Sequence, residues 1–348
     1  MQPFTLADLT RLPSSNVAGT RTHQVARKTN GSGLIDGVLN KGGLTVSLRS
    51  PTSRETLLER TCTRVDEPEL RIIGDIQGHA YGFCEVFAGE TREGLKVVIE
   101  SHRRYSADPQ GNASALKRFH RQALICVDLS HRNIAPFLGV FSSDKVPYAC
   151  VFKSVGKSSL PEYLVGNPGA ARLKLLVEVA RGLYHIHDLG IVHGSIRGTN
   201  IRVDDHGTAR IAGFASATLP NIISEDVDEF VESRWCSPEL LDPDGFGLTR
   251  AKGTRASDMY AFGMLAYEIF SGRMPFHDLQ GAAVVIAVVT RNERPPRPPH
   301  RELSGQLWAM IERSWQTDPS QRPTIQEFVT LLEDKDRDVR LQLYNHRA

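Results

Sequence analysis

A helix that is apolar on nearly every side is the feature that most constrains this fold. The stretch SDMYAFGMLAYEIFS, residues 257–271, is almost entirely hydrophobic or small once Ser257 and Asp258 are passed. A helix of this kind has to be buried at the centre of a helical unit. A membrane span would need about 20 consecutive apolar residues, and this run is shorter. The sequence therefore predicts a large helical lobe built around this segment.

Upstream of this helix the pattern is extended. Short runs typical of strands cover residues 70–74, 83–89, 96–100, 137–141 and 148–152. One amphipathic helix is predicted among them, over residues 114–129. The order predicts an α+β protein of two lobes, a strand-rich lobe over about 67–153 and a helical lobe over about 158–334. Clefts between lobes are where small ligands usually bind.

The two ends of the chain fall outside these lobes. Residues 1–66 are rich in Ser, Thr, Gly and basic residues without periodicity, so we expect a basic leader lacking stable structure. Residues 335–348 are expected to form a C-terminal tail. A net charge of +2 over 348 residues argues against a nucleic-acid binder. Five cysteines without metal-like spacing, and no signal peptide, favour the cytoplasm, with the nucleus as the alternative.

Six stretches, in order along the chain, resemble a protein kinase domain of the tyrosine-kinase-like type. They are SHRNIAPFLGVF (130–141), SLPEYL (159–164), GIVHGSIRGTNIRV (190–203), RWCSPELL (234–241), SDMYAFGMLAYEIFSGRMPF (257–276) and SWQTDPSQRPT (314–324). The resemblance implies the bilobal α+β kinase fold over about residues 67–334. It also implies ATP and Mg²⁺ as the cofactors of an active member.

Four positions that carry phosphotransfer in this family are substituted here. The Lys of the V-A-I-K motif is Glu100, and its Glu partner on the regulatory helix is Gln122, which can still hydrogen-bond to Glu100. The catalytic Asp of the loop is Ser195, which is no base at neutral pH without an activating partner. The metal-binding Asp of the D-F-G motif is Gly213. Facing a phosphate at about 4 Å, Glu100 would be repelled by roughly 4 kcal/mol.

Other positions of the resemblance carry residue types that are compatible with contacting a nucleotide. If a nucleotide binds, the residues expected to contact it are Gly78, Gly82, Val86, Val98, Arg197 and Asn200. Asn200 matches a metal ligand of the family, and it either keeps that role or holds the loop through its amide. We expect no metal site at the histidines 185, 187 and 193, which lack a carboxylate or cysteine companion. His185 and His187 are read as residues on the surface of a helix.

The residues that support the fold of the family are retained. His193, Glu239, Asp258 and Arg322 match them. The resemblance implies a buried ion pair between Glu239 and Arg322, and a catalytic loop braced by Asp258 and packed on His193.

The residues that support the fold of the family are retained, and the residues that carry phosphotransfer are substituted. This combination predicts a pseudokinase, a protein-binding or allosteric signalling module without phosphotransfer. Its expected partners are other proteins, an active kinase among them, and neither nucleic acid nor a membrane span is expected. A weak or atypical ATP-dependent protein kinase is one alternative, and a nucleotide-binding switch without catalysis is another. The acidic run SEDVDEFVES (224–233) is typical of a solvated loop, with docking of a basic partner as its alternative.

Overall fold

A five-stranded antiparallel sheet forms the first lobe. The computed structural model describes residues 37–40, 43–46, 70–75, 84–102, 109–143, 146, 148–156, 158–219 and 232–333. The strands are β1 Leu70–Asp75, β2 Cys84–Thr91, β3 Lys96–His102, β4 Phe137–Phe141 and β5 Ala149–Lys153. Their order across the sheet is β1-β2-β3-β5-β4. This order makes β3 the central strand.

Alternation along β3 separates two faces of the sheet. Val97 and Ile99 are buried in a small core on one face, together with Leu70, Phe141, Val146, Ala149 and Val151. Glu100 and His102 lie on the opposite face, because side chains two residues apart in a strand point the same way. That face is covered by helix α1, Pro109–Cys126. The strand therefore aims two polar side chains at a helix.

The second lobe is mainly helical. Its elements are the short strand β6 Ser158–Ser159, the helices α2 Leu160–Gly166 and α3 Arg172–Asp188, the hairpin of β7 Ile201–Val203 and β8 Ala209–Ile211, and the helices α4 Pro238–Leu241, α5 Arg255–Ser271, α6 Ala282–Val285, α7 Gly305–Ser314 and α8 over residues 325–333. A π-helical turn, Ile286–Thr290, follows α6. Strand β7 pairs with both β6 and β8.

Helix α5 is the centre of this lobe, as its composition predicts. Every residue from Ser257 to Phe270 is buried. Thr254 begins the helix, since its Oγ1 accepts a hydrogen bond from the backbone N–H of Ser257 at 3.0 Å. The α+β class and the order of a strand-rich lobe followed by a helical lobe are confirmed.

The link between the lobes lies against strand β7. Gly156 has φ +68, and a Cβ at this position would collide with the carbonyl oxygen of Val203. Only glycine fits so close an approach of two backbones. Aromatic rings add a second link, because Phe214 stacks on Phe152 of β5 at 6.4 Å and meets His193 edge-on at 4.9 Å.

The ends of the chain add one small element. Gly37–Asn40 and Gly43–Val46 pair as an antiparallel hairpin. The rest of residues 1–66 and residues 334–348 lie outside the described residues, so an unstructured leader and a C-terminal tail stay predictions. Within the described ranges, no helix is both long enough and apolar enough to cross a membrane.

Candidate functional site

A chain of buried polar side chains connects β2, β3 and α1. Gln122 Nε2 donates a hydrogen bond to Glu100 Oε2 at 2.6 Å, and His102 Nε2 lies 2.7 Å from Gln122 Oε1. His102 Nδ1 in turn lies 3.4 Å from Cys84 Sγ. All four residues are buried. We call this set, Cys84, His102, Gln122 and Glu100, the buried polar chain.

The direction of its hydrogen bonds follows from the charge of His102. Burial is the main cause that lowers the pKa of His102 to about 4, so the ring is neutral at physiological pH and carries one N–H. Nε2 has to carry that proton, because its partner is the amide oxygen of Gln122. Nδ1 is then the acceptor for the thiol of Cys84. Each donor therefore points toward Glu100, the acceptor at the end.

Glu100 also reaches the second lobe. Burial raises its pKa to about 7, and hydrogen bonds from Gln122 and from the backbone of Gly213 lower it without cancelling that effect. A carboxyl group in this state is partly protonated near neutral pH. The position that the family fills with a phosphate-binding cation is thus a carboxyl group tied to α1 and to residue 213.

The loop at residues 193–200 is held by its own side chains. Asn200 Nδ2 donates to the carbonyl oxygen of Ser195 at 2.8 Å and to its Oγ at 2.9 Å. His193 Nδ1 accepts from the backbone N–H of Ser195 at 3.2 Å, and its Nε2 donates to the carbonyl oxygen of Ala212 at 3.1 Å. Both nitrogens of His193 therefore serve the backbone. Neither is aimed at the hydroxyl of Ser195 as an activating base.

The side chain of Asn200 crowds Gly213. It adopts φ +75, and a Cβ built on it would lie 2.6 Å from Cγ and Oδ1 of Asn200. Real Cβ contacts are never this short, so any side chain at position 213 requires Asn200 to move. The amide of Asn200 fills the space where an aspartate would begin.

Asp258 braces the loop from the start of α5. Its carboxylate accepts from the backbone N–H groups of His193 and Gly194, each at 2.8 Å, and from His187 Nε2 at 3.0 Å. His187 and His193 are both buried. The expectation of a surface residue is therefore wrong for His187, because its ring is needed to satisfy a buried acceptor. His185 instead stacks on His131 at 5.2 Å.

Glu239 and Arg322 form a buried bidentate pair in the second lobe. Arg322 Nη1 and Nη2 donate to the two carboxylate oxygens at 2.7 and 2.8 Å. Arg322 also lies over the ring of Tyr260, 5.2 Å from its centroid. This pair joins α4 to the segment that follows α7, and Arg322 Nη1 also donates to the carbonyl oxygen of Ala256 in α5 at 3.0 Å.

Arg197 is paired with a residue from the acidic run. Arg197 Nη1 lies 2.8 Å from Glu232 Oε1. Glu268 lies nearby in α5, where its Oε2 accepts from the backbone N–H of Gly198 and from Trp235 Nε1, each at 3.1 Å. Burial raises the pKa of Glu268 to about 7, and these two hydrogen bonds and Arg197 oppose that shift. Sequence reasoning missed Glu268, although one glutamate in an apolar helix signals a buried partner.

The remaining nucleotide-site candidates are placed as follows. Val86 in β2 is the register partner of Glu100, and Val98 in β3 is the partner of Ala88 and Phe152. Val86 is buried, and Val98 lies on the same face of β3 as Glu100. Gly78 and Gly82 lie outside the described residues. Among the residues that the structure describes, no group of three or more His, Cys, Asp or Glu is arranged to hold a metal.

Comparison with known proteins agrees with this geometry. The family model described as "Protein tyrosine and serine/threonine kinase" matches residues 77–332. The chain is 24% identical over 282 residues to Serine/threonine-protein kinase STY17 of Arabidopsis thaliana, covering 79% of this chain and 46% of that protein. It is 26% identical over 259 residues to Serine/threonine/tyrosine-protein kinase HT1 of the same plant, covering 72% and 64%. It is 29% identical over 270 residues to Dual specificity protein kinase pyk3 of Dictyostelium discoideum, covering 73% and 18%. The chain thus spans less than two thirds of each relative.

Proposed function

The chain belongs to the protein tyrosine and serine/threonine kinase family, and from this premise we propose that it is a pseudokinase, a protein-binding and allosteric module that transfers no phosphate. The buried polar chain is the observation that carries this proposal. It uses the positions of the phosphate-binding ion pair, Glu100 and Gln122, for a hydrogen bond of 2.6 Å within the fold. A side chain that forms a hydrogen bond within the fold in this way is not available to contact a ligand.

The described residues do not fit Mg²⁺-ATP as the family binds it. Mg²⁺ takes one or two carboxylates together with phosphate oxygens, and position 213 offers no carboxylate, while the amide of Asn200 lies where a side chain at 213 would begin. Glu100 opposes a phosphate with a carboxyl group whose pKa burial raises to about 7. Half-ionised, this group repels phosphate less than the fully charged glutamate expected from the sequence, yet it does not supply the positive charge that the family places here.

Signalling by such a module depends on shape. In the buried polar chain, β3 and α1 are joined through Gln122, and Glu100 extends the connection to the backbone of Gly213. The helix is thereby held against the sheet, and residue 213 against both, with no nucleotide among the contacts. We expect a partner protein to recognise this fixed arrangement. An active kinase is the partner class that the family membership favours.

A phosphotransfer assay tests the absence of chemistry. Purified protein with radiolabelled ATP, Mg²⁺ or Mn²⁺ and a general protein substrate is expected to give no more phosphate transfer than the Asn200→Ala variant. That variant removes the one family metal ligand that is retained. Transfer that stays with the protein through a second purification and is lost in Asn200→Ala would overturn the proposal. Equal transfer by both proteins identifies a contaminating kinase.

A weak ATP-dependent protein kinase is the second candidate. It is favoured by the relatives, which are named as kinases, and by the retained Asn200. It predicts that ATP raises the melting temperature only when Mg²⁺ or Mn²⁺ is present. Stabilisation by ATP in EDTA, without turnover, supports instead a nucleotide-binding switch. No shift in either condition supports the pseudokinase.

A further inference from the structure

A proline-rich segment, RPPRPP at residues 294–299, lies between the π-helical turn and α7. Each proline fixes its own φ at about −65° and also drives the preceding residue into the extended or polyproline II region. Every residue of the segment is a proline or precedes one. The sequence therefore favours a polyproline II helix, which has three residues per turn and no internal hydrogen bonds. In the described part of the chain, these residues form no backbone–backbone hydrogen bond.

The burial of the segment repeats every three residues. Pro295 and Pro298 are buried, whereas Pro296, Arg297 and Pro299 are exposed. Prolines three residues apart lie on the same edge of a polyproline II helix, because one turn contains three residues. One proline edge is therefore covered by the protein, and the other, formed by Pro296 and Pro299, faces the solvent.

Two arginine side chains hold the segment to the second lobe. Arg294 donates to the carbonyl oxygen of Trp315 at 2.8 Å and to Thr317 Oγ1 at 3.1 Å. Arg297 donates to the carbonyl oxygen of Leu303 at 2.7 Å. The exposed proline edge is therefore held in place before any partner arrives. Binding to a chain that is already extended and anchored costs little conformational entropy.

Positive charge lies next to the exposed prolines. Arg297 stands between Pro296 and Pro299, and Arg301 is exposed two residues beyond Pro299. Segments with two prolines three residues apart dock into grooves lined by aromatic side chains, and acidic side chains beside such a groove would attract these arginines. We infer that the edge formed by Pro296 and Pro299 is a docking site for a partner domain of this chemistry, a polyproline-binding domain of the SH3 type. The inference goes beyond the proposed function, because a chain that transfers phosphate could present the same edge.

The experiment uses a set of purified SH3 domains that differ in the number of acidic side chains beside the groove. Binding of each fluorescently labelled domain to the full chain is measured by fluorescence anisotropy, and the most acidic domains should bind most tightly. For the tightest domain, replacing both Pro296 and Pro299 with alanine should weaken binding at least about tenfold, as the loss of an interface hot spot does. Pro168→Ala, which changes an isolated exposed proline after α2, is the matched control and should leave binding unchanged.

A charge variant keeps the experiment decisive if the double alanine variant does not fold, because it leaves all four prolines in place. Arg301→Glu should weaken binding and reduce its dependence on salt, whereas Arg250→Glu, at an exposed arginine outside the segment, should do neither. The inference is overturned if no SH3 domain binds the unchanged protein. Binding that survives both the double alanine substitution and Arg301→Glu would overturn it as well. None of these results bears on phosphotransfer, so the proposed function is tested separately.

Discussion

Replacing Glu100 with glutamine should make this protein more stable at alkaline pH. In the folded chain burial raises the pKa of Glu100 to about 7, whereas the ordinary value of such a carboxyl is 4.5. The folded state therefore holds the proton more tightly than the unfolded state does. Between these two values the free energy of unfolding falls as pH rises, because ionisation is easier after unfolding. Well above pH 7 the ionisation of Glu100 lowers the free energy of unfolding no further.

The size of the effect follows from the shift. Each pKa unit corresponds to about 1.4 kcal/mol, so a shift from 4.5 to about 7 corresponds to about 3 kcal/mol between acid and alkaline limits. The amide introduced by Glu100→Gln would be neutral at every pH and would remain within hydrogen-bond reach of Gln122. The variant should lack this part of the pH dependence. Its stability relative to the unchanged protein should rise by about 2 to 3 kcal/mol from pH 5 to pH 8.

Urea unfolding followed by tryptophan fluorescence at pH 5, 6, 7 and 8 measures the difference. The unchanged protein should lose stability over this range, and Glu100→Gln should lose markedly less. The exposed Glu312→Gln variant should follow the unchanged protein. Parallel curves for Glu100→Gln and the unchanged protein at every pH would refute the reasoning, since Glu100 would then be ionised in the fold as it is in water.

Three further predictions concern other buried groups. Gly213→Asp should lower the melting temperature, because its Cβ would meet Asn200 at 2.6 Å, and it should not create Mg²⁺-dependent stabilisation by ATP. Calorimetry measures the change in melting temperature, and adding Asn200→Ala should restore part of the loss. Glu239→Gln should cost about 3 to 5 kcal/mol in urea unfolding, because the buried charge of Arg322 loses its partner; an unchanged midpoint would contradict this. Glu268→Gln should abolish a change of tryptophan emission between pH 6 and 8, since burial raises the pKa of Glu268 to about 7 in the unchanged protein; a pH dependence that survives in the variant would assign the change elsewhere.

Much of the framework is readable from the sequence. The period of two along β3 places Glu100 and Lys96 on one face, and the apolar circumference of α5 fixes the centre of the second lobe. The residues at which helices and strands begin and end are harder to predict from the sequence. Helix α1 begins at Pro109, five residues before the start that its apolar spacing predicts. The short helices α4 and α6 were not predicted, because a single helical turn leaves too few residues for a period to show.

The partners of the site residues were harder to read. The sequence shows that Gln122 can bond to Glu100, but it does not show that His102 and Cys84 continue the chain. Those contacts depend on the register between β2 and β3, in which Cys84 is the partner of His102. Register is set by turns and packing over the whole sheet. The pairing of Arg197 with Glu232 of the acidic run likewise depends on a contact between two segments that are distant in the sequence.

The substitutions at this site are mutually dependent, which distinguishes a remodelled site from a decayed one. A carboxyl at position 100 is compatible with an amide donor at 122, whereas a carboxylate there would face it across 2.6 Å. In the loop that carries Ser195, Arg197 forms an ion pair with Glu232 at 2.8 Å. A lysine at position 100 or a glutamate at position 122, introduced alone, would therefore leave a buried group unmatched, at a cost of about 1 to 3 kcal/mol or more. Such coupling between Glu100 and Gln122 holds the site in its present form.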